Sequence, residues 1–281
     1  MFGIAVACVL GSGFLHAVWN LFTKKSQDKN AFLWYCQLVA LIVFLPWTLQ
    51  EWAGGALLGI GGLAVAGSMA LHGLYVRLLA SVYEAGDLSQ TYPIMRGTSP
   101  LLVPLAGILL LHEELSAIGW LGVAAIVAGI LGLSNVRLVR GTKFGKAPLL
   151  AFAVGVTISA YIVVDKVALN YIPAVMLNEA TNVGNLVALT WVAWRSGHMT
   201  AELKANWKTI LLGGILAPGA YILFLSALAL ASVTQLAPMR EIGTVFGAAL
   251  GLWLLKEKQG IRRLATSLLI TSGVIVLGIW G

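Results

Sequence analysis

Residues 91–114, TYPIMRGTSPLLVPLAGILLLHEE, are matched 144 positions later by residues 235–258, QLAPMREIGTVFGAALGLWLLKEK, and this repeated stretch decides the fold. At that offset Arg96 aligns with Arg240 and Met95 aligns with Met239. Each copy places one arginine inside an apolar segment that is long enough to cross a bilayer. A charged side chain costs free energy at that depth, so it is kept for a function or for a buried partner.

The composition is that of an integral membrane protein. Of the 281 residues, 59% are hydrophobic and 10% are charged, whereas soluble domains carry about 25% charge. The mean hydropathy is +0.90, and no soluble domain of useful size remains between the apolar runs. The net charge of +7 comes from lysines and arginines between those runs, so we expect no nucleic-acid partner.

Apolar runs of about 20 residues each match the thickness of a hydrocarbon core. Bounded by charges, prolines or glycines, these runs predict an all-α integral membrane protein with ten transmembrane helices. The predicted ranges are 2–22, 31–49, 55–80, 87–111, 116–136, 147–165, 173–194, 207–230, 233–255 and 262–280.

The basic residues predict how these helices are oriented. Fifteen of the eighteen lysines and arginines lie in the odd-numbered connections or near the helix ends beside them, and the positive-inside rule places these connections in the cytoplasm, so both termini are predicted outside. The two copies lie on helices 4 and 9, so each repeat contains five helices, and an odd number inverts the second repeat relative to the first. We therefore predict two inverted five-helix repeats, residues 1–140 and 141–281, the design of many secondary transporters.

The chain resembles the drug/metabolite transporter superfamily, and within it the ten-helix EamA-type transporters. The resemblance rests on the two five-helix halves, on LLLHEE at 109–114 and LLKEK at 254–258, and on the glycine-rich helices that follow. The family's usual LGE is replaced by LHE and LKE. The resemblance implies a central cavity lined mainly by helices 1, 3, 4, 6, 8 and 9, and it names no substrate.

Arg96 and Arg240 are the leading candidates for substrate binding. At about 1.5 Å per residue, each begins roughly 5 Å from the midplane, on opposite sides if the repeats are inverted. A guanidinium offers a fixed fork of donors that suits carboxylate or phosphate. The alternative is internal neutralisation by Glu241 and Glu179; a zwitterionic substrate could place its acid on an arginine and its amine near a glutamate.

Other polar residues fall in the predicted cavity helices. His16 and Asn20 share one face of helix 1, and His16 is also a candidate proton site because its reference pKa is about 6.5; a packing role is the alternative. Glu179 and Glu241 are candidates for coupling or charge pairing. Helix 7 also carries a polar stripe whose role stays open. The remaining candidate substrate-binding residues are Trp19, Tyr75, Tyr92, Tyr161 and Tyr221, and the stripe consists of Asn178, Asn182 and Asn185.

No enzyme, nucleotide-binding, cofactor or metal motif is present in the sequence. We expect a secondary transporter in the cytoplasmic (inner) membrane of a bacterium, as a monomer or homodimer, moving a small anionic or zwitterionic metabolite by alternating access. Its partners would be that small-molecule substrate and the lipid bilayer. The alternatives are proton-coupled efflux of amphipathic cations or drugs, and a lipid-handling or non-transporting membrane subunit.

Overall fold

The computed structural model describes residues 1–51, 59–85, 88–133, 146–255 and 261–281. Within these ranges the chain is all-helical, with eleven helical segments. Their bounds are α1 Phe2–Lys25, α2 Lys29–Gln50, α3 Ile60–Ala85, α4 Leu88–Leu111, α5 Ala117–Leu133, α6 Lys146–Ala168, α7 Ala174–Arg195, α8 Met199–Leu230, α9 Val233–Met239, α10 Ile242–Leu255 and α11 Ile261–Trp280.

Each of the ten predicted ranges overlaps an observed helix, but two of them differ in an informative way. The predicted helix 233–255 is interrupted at Arg240 and Glu241, which separate α9 from α10. Helix α8 begins eight residues before the predicted start at 207, and its backbone is kinked at Asn206, with φ −125° and ψ 19°. The kink lies one residue before the predicted start.

The surface of the helices fits a lipid environment. Six helices in the described part of the chain are long and apolar enough to cross a membrane. Large apolar side chains are exposed on several of them and on other helices, including Leu63, Leu109, Val187 and Trp253. Such exposed apolar surface is unfavourable in water and favourable against lipid.

Prolines do not by themselves explain where helices break. Pro93, Pro100 and Pro104 all lie inside α4, which continues through them, and Pro218 lies inside α8. Pro238 lies next to the last residue of α9. At the break, the amide of Glu241 donates to the carbonyl oxygen of Pro238, and the amide of Thr244 donates to that of Glu241. The tight i to i−3 bonds turn the chain and end the regular helix.

The helices pair in a pattern that is preserved when the two predicted halves are exchanged. The pairing of α1 with α8 corresponds to that of α6 with α3, and α2 with α8 corresponds to α7 with α3. The contacts of α1 with α10 and of α6 with α4 are also counterparts. Both depend on a glycine at the crossing: an added Cβ would lie 3.1 Å from the Gly243 nitrogen at Gly13, and 3.0 Å from the Met95 oxygen at Gly155.

Candidate functional site

The first part of the site is an ion pair between helices that are far apart in the sequence. The Arg96 guanidinium on α4 donates to Glu241 Oε1 at 3.2 Å, and its other terminal nitrogen lies 3.0 Å from His16 Nε2 on α1. The Arg96 side chain is 24% exposed and the Glu241 side chain 8%. Internal neutralisation was the alternative for both arginines, and of the two it is Arg96 that has a glutamate partner in this geometry.

The helix break places Arg240 and Glu241 on different sides of the cluster. Both residues lie between α9 and α10, and consecutive positions near a helix point about 100° apart. Glu241 reaches Arg96, whereas the Arg240 guanidinium carbon lies 4.2 Å from the ring centroid of Phe224 and 5.3 Å from that of Tyr221. The adjacent arginine and glutamate are thus not paired with each other.

Arg240 forms no ion pair with any residue that the structure describes, and its side chain is partly exposed. The two aromatic faces stabilise its charge by cation–π attraction, which is worth about 0.5–2 kcal/mol. They leave the N–H donors of the guanidinium unused by protein carboxylates. One of the two intramembrane arginines is therefore neutralised, and the other keeps the capacity to bind an anion.

A second buried group was not among the predicted site residues. Asp165 on α6 is 0% exposed, and its carboxylate accepts hydrogen bonds from the hydroxyls of Ser68 and Tyr221. The same carboxylate lies 3.3 Å from His72 Nε2, which in turn lies 3.1 Å from the Tyr221 oxygen. The predicted range 147–165 made Asp165 a helix-end charge, but α6 continues to Ala168.

Aromatic rings connect the two polar groups. Tyr161 stacks on His72 with ring centroids 4.0 Å apart, and Tyr75 meets Tyr161 edge to face at 5.8 Å. Tyr221 spans the distance between the groups, because its hydroxyl contacts Asp165 and its ring lies beside Arg240. The predicted tyrosines on three different helices therefore meet in one cluster.

The remaining candidates on α1 and α4 lie at the Arg96 side. Tyr92 is 42% exposed, and its ring centroid lies 5.8 Å from the Arg96 guanidinium carbon. Trp19 lies beside His16, with ring centroids 5.6 Å apart. The side chain of Asn20 lies outside the described residues.

Glu179 does not join this cluster. It is buried on α7 at 6% exposure and, among the described residues, pairs with neither arginine. Its Oε1 has no hydrogen-bond partner there, and the same is true of one side-chain atom each of Asn178, Asn182 and Asn185. The polar stripe predicted on helix 7 is thus largely buried, and it lies away from the two arginines.

In the described part of the chain, no three His, Cys, Asp or Glu side chains are placed to hold a metal ion.

Comparison with known proteins gives a family and a fold. Residues 145–279 match the EamA-like transporter family. A solved structure titled only "Crystal structure of protein" is 18% identical, and it superposes with a TM-score of 0.75 over 97% of this chain and 95% of that one. At this identity the likeness concerns the fold alone. No curated protein matches the chain.

Proposed function

The chain carries an EamA-like transporter family domain in residues 145–279, consistent with the drug/metabolite transporter superfamily, and from this premise we propose a secondary transporter of a small anionic or zwitterionic metabolite. The matched residues fall within the second of the two proposed halves, 1–140 and 141–281, and support that division. In this proposal the protein lies in the cytoplasmic membrane of a bacterium, with both termini outside.

The observation that carries the proposal is the unpaired charge of Arg240. Arg240 is a partly exposed residue, its guanidinium lies against Phe224 and Tyr221, and it has no carboxylate partner among the described residues. A guanidinium with no carboxylate within ion-pair distance has hydrogen-bond donors to spare, and an acidic substrate group would accept from them. Carboxylate, phosphate and phosphonate all fit the fork of guanidinium donors.

Glu241 extends the proposal to zwitterions. Its Oε1 is used by Arg96, but its buried Oε2 has no hydrogen-bond partner in the described structure. An ammonium group is a compact donor that would satisfy this oxygen. Arg240 and Glu241 are adjacent in the chain, so the two charges of an amino-acid-like substrate would be bound at one helix break.

Alternating access is the proposed mechanism, by rocking of the two inverted five-helix halves about this site. The exchangeable pairing of helices supports it, as does the break between α9 and α10, because discontinuous helices form the binding sites of many secondary transporters. The contacts that would have to rearrange include Arg96 with Glu241 and the close approach of Gly13 to Gly243.

A thermal-shift and flux experiment tests the proposal. Purified protein is screened against glycine, methylphosphonate, glucose 6-phosphate and choline, and the stabilising compounds are followed into proteoliposomes. We expect an anionic or zwitterionic probe to bind and to be transported, and Arg240→Gln to abolish both. Arg195→Gln, an exposed arginine at the end of α7, is the matched control and should behave as wild type. Normal flux in Arg240→Gln would contradict the proposed role.

Efflux of amphipathic cations is the second candidate, because Glu179 is a buried carboxylate with an unpartnered oxygen. In that case choline or a larger quaternary amine, rather than the anions, would stabilise the protein. Glu179→Gln would then remove that binding, and Arg240→Gln would not. The same panel therefore separates the two functions.

A further inference from the structure

The Asp165 network is a group of buried ionisable side chains whose carboxylate the proposed binding of an anion to Arg240 does not use. Asp165 is 0% exposed and His72 is 5% exposed. Among the described residues, no lysine or arginine lies within ion-pair distance of the Asp165 carboxylate. The neighbouring Lys166 turns away, because its Nζ donates to the carbonyl oxygens of Leu228 and Ala231 at the end of α8.

The groups that face Asp165 come from three helices. Ser68 and His72 face it from α3, and Tyr221 faces it from α8. On its own helix α6, Tyr161 stacks on His72, and Tyr75 of α3 packs on that ring. Arg240 is the charged group that acts on it through space, across Tyr221.

Packing alone does not account for an acid at this position. An ionised carboxylate in a dry interior costs several kcal/mol unless it is paired, and two hydroxyl bonds offset only part of that. An asparagine would accept from one of the two hydroxyls and donate to the other, without carrying a charge. An ionisable group in a membrane interior is therefore an indication of function, and proton relays built from Asp, Glu and His are a common case.

Tyr221 connects this group to the substrate site. With the site empty, Arg240 and Asp165 balance each other's charge across the ring and hydroxyl of Tyr221. When an acidic substrate group binds Arg240, the cluster holds two negative charges and one positive charge. One proton added to Asp165 restores neutrality. A neutral cluster costs less free energy than a charged one when the substrate is enclosed in a low-dielectric site during the conformational change.

We propose that Asp165 is the proton-carrying group of the transporter, taking up one proton from water when an anionic substrate occupies Arg240 and releasing it with that substrate on the other side. This proposal rests on the proposed function and adds its coupling: symport of an anion with a proton. Tyr221 is the positioning residue between the two sites. By linkage, proton and substrate strengthen each other's binding.

The first experiment uses proteoliposomes that contain the pH dye pyranine, with glycine, methylphosphonate and glucose 6-phosphate as probes. In wild type, an inward proton gradient should drive accumulation of a probe, and addition of that probe should acidify the lumen. In Asp165→Asn both effects should be lost, while exchange of labelled for unlabelled probe persists, because exchange needs no change in protonation. Glu51→Gln, at the end of α2, is the matched carboxylate control.

This design separates the two proposals. Loss of both exchange and accumulation in Arg240→Gln, with exchange alone retained in Asp165→Asn, supports both. Gradient-driven accumulation and lumen acidification that persist in Asp165→Asn would overturn the coupling role and leave the substrate role intact. Tyr221→Phe keeps the ring against Arg240 and removes the hydroxyl, so we expect the number of protons moved per probe to fall while probe binding remains.

A second readout needs no substrate. Infrared difference spectra of the purified protein, taken between mildly acidic and mildly alkaline buffer, should contain the carbonyl band of a buried carboxyl group that loses its proton. The band should lose intensity in Asp165→Asn and be unchanged in Glu51→Gln, and Glu179→Gln identifies any part of the band that comes from the other buried carboxyl group. A band that is unchanged in Asp165→Asn, with the melting temperature of the variant confirming that it folds, would overturn the proposal.

Discussion

The ion pair between Arg96 and Glu241 gives the most quantitative prediction. Glu241→Gln keeps the shape of the side chain and removes its charge, which leaves the Arg96 guanidinium uncompensated. Breaking a buried pair in this way costs about 3–5 kcal/mol. The Arg96 side chain is 24% exposed and also contacts His16, so partial solvation reduces the expected loss of unfolding free energy to roughly 2 kcal/mol.

A melting-temperature measurement in detergent tests this magnitude. At roughly 2–4 °C per kcal/mol, Glu241→Gln should melt about 4–8 °C below wild type. Arg96→Gln should lose a similar amount, because the glutamate that it strands is only 8% exposed. The double variant should lose less than the sum of the two, and that non-additivity measures the pair. Strictly additive losses would refute a direct interaction, and Arg195→Gln serves as the control.

Two further predictions concern how the helices are held in place. Glu113 accepts hydrogen bonds from the amides of Val233 and Thr234 at the start of α9, at 3.0 and 2.9 Å. Glu113→Gln should therefore lower the unfolding free energy by about 1 kcal/mol in a thermal unfolding assay. An equal loss in Glu114→Gln, its exposed neighbour, would show that these two hydrogen bonds do not stabilise the protein. Gly13→Ala should destabilise the contact between α1 and α10, because the added Cβ would lie 3.1 Å from the Gly243 nitrogen. At Gly247 an added Cβ would have no atom within 4 Å, so Gly247→Ala should be neutral or stabilising in the same assay.

The helices could be predicted because their signal is local. Runs of about 20 apolar residues between charges define a span whatever the neighbours are, and each predicted range overlaps an observed helix. The break at Arg240 was not predictable in this way. Pro238, like Pro100 and Pro104, is a proline inside an apolar run. Helix α4 continues past its prolines, whereas α9 ends one residue after Pro238. The difference lies in tertiary packing.

Which residues contact one another within the site could be predicted only in part from the sequence. The two arginines and the tyrosines were found because a polar side chain in an apolar run is costly wherever it points. The sequence offered Glu241 and Glu179 equally as counter-charges, and only the three-dimensional structure separates them: Glu241 contacts Arg96, and Glu179 lies on α7 with neither arginine. Asp165 was missed because the predicted helix 147–165 ended three residues too early, so that Asp165 lay at its end, where a charge is expected, and not inside it.

The unequal state of the two arginines follows from one position of the repeat. At the 144-residue offset, Glu241 aligns with Gly97. The second half therefore supplies a carboxylate that neutralises Arg96 of the first half, and the first half has no side chain at the corresponding position to neutralise Arg240. Arg240 instead lies against Phe224 and Tyr221, which stabilise its charge without occupying its donors. The two arginines that align at this offset thus differ: Arg96 forms an ion pair, and Arg240 has no carboxylate partner among the described residues.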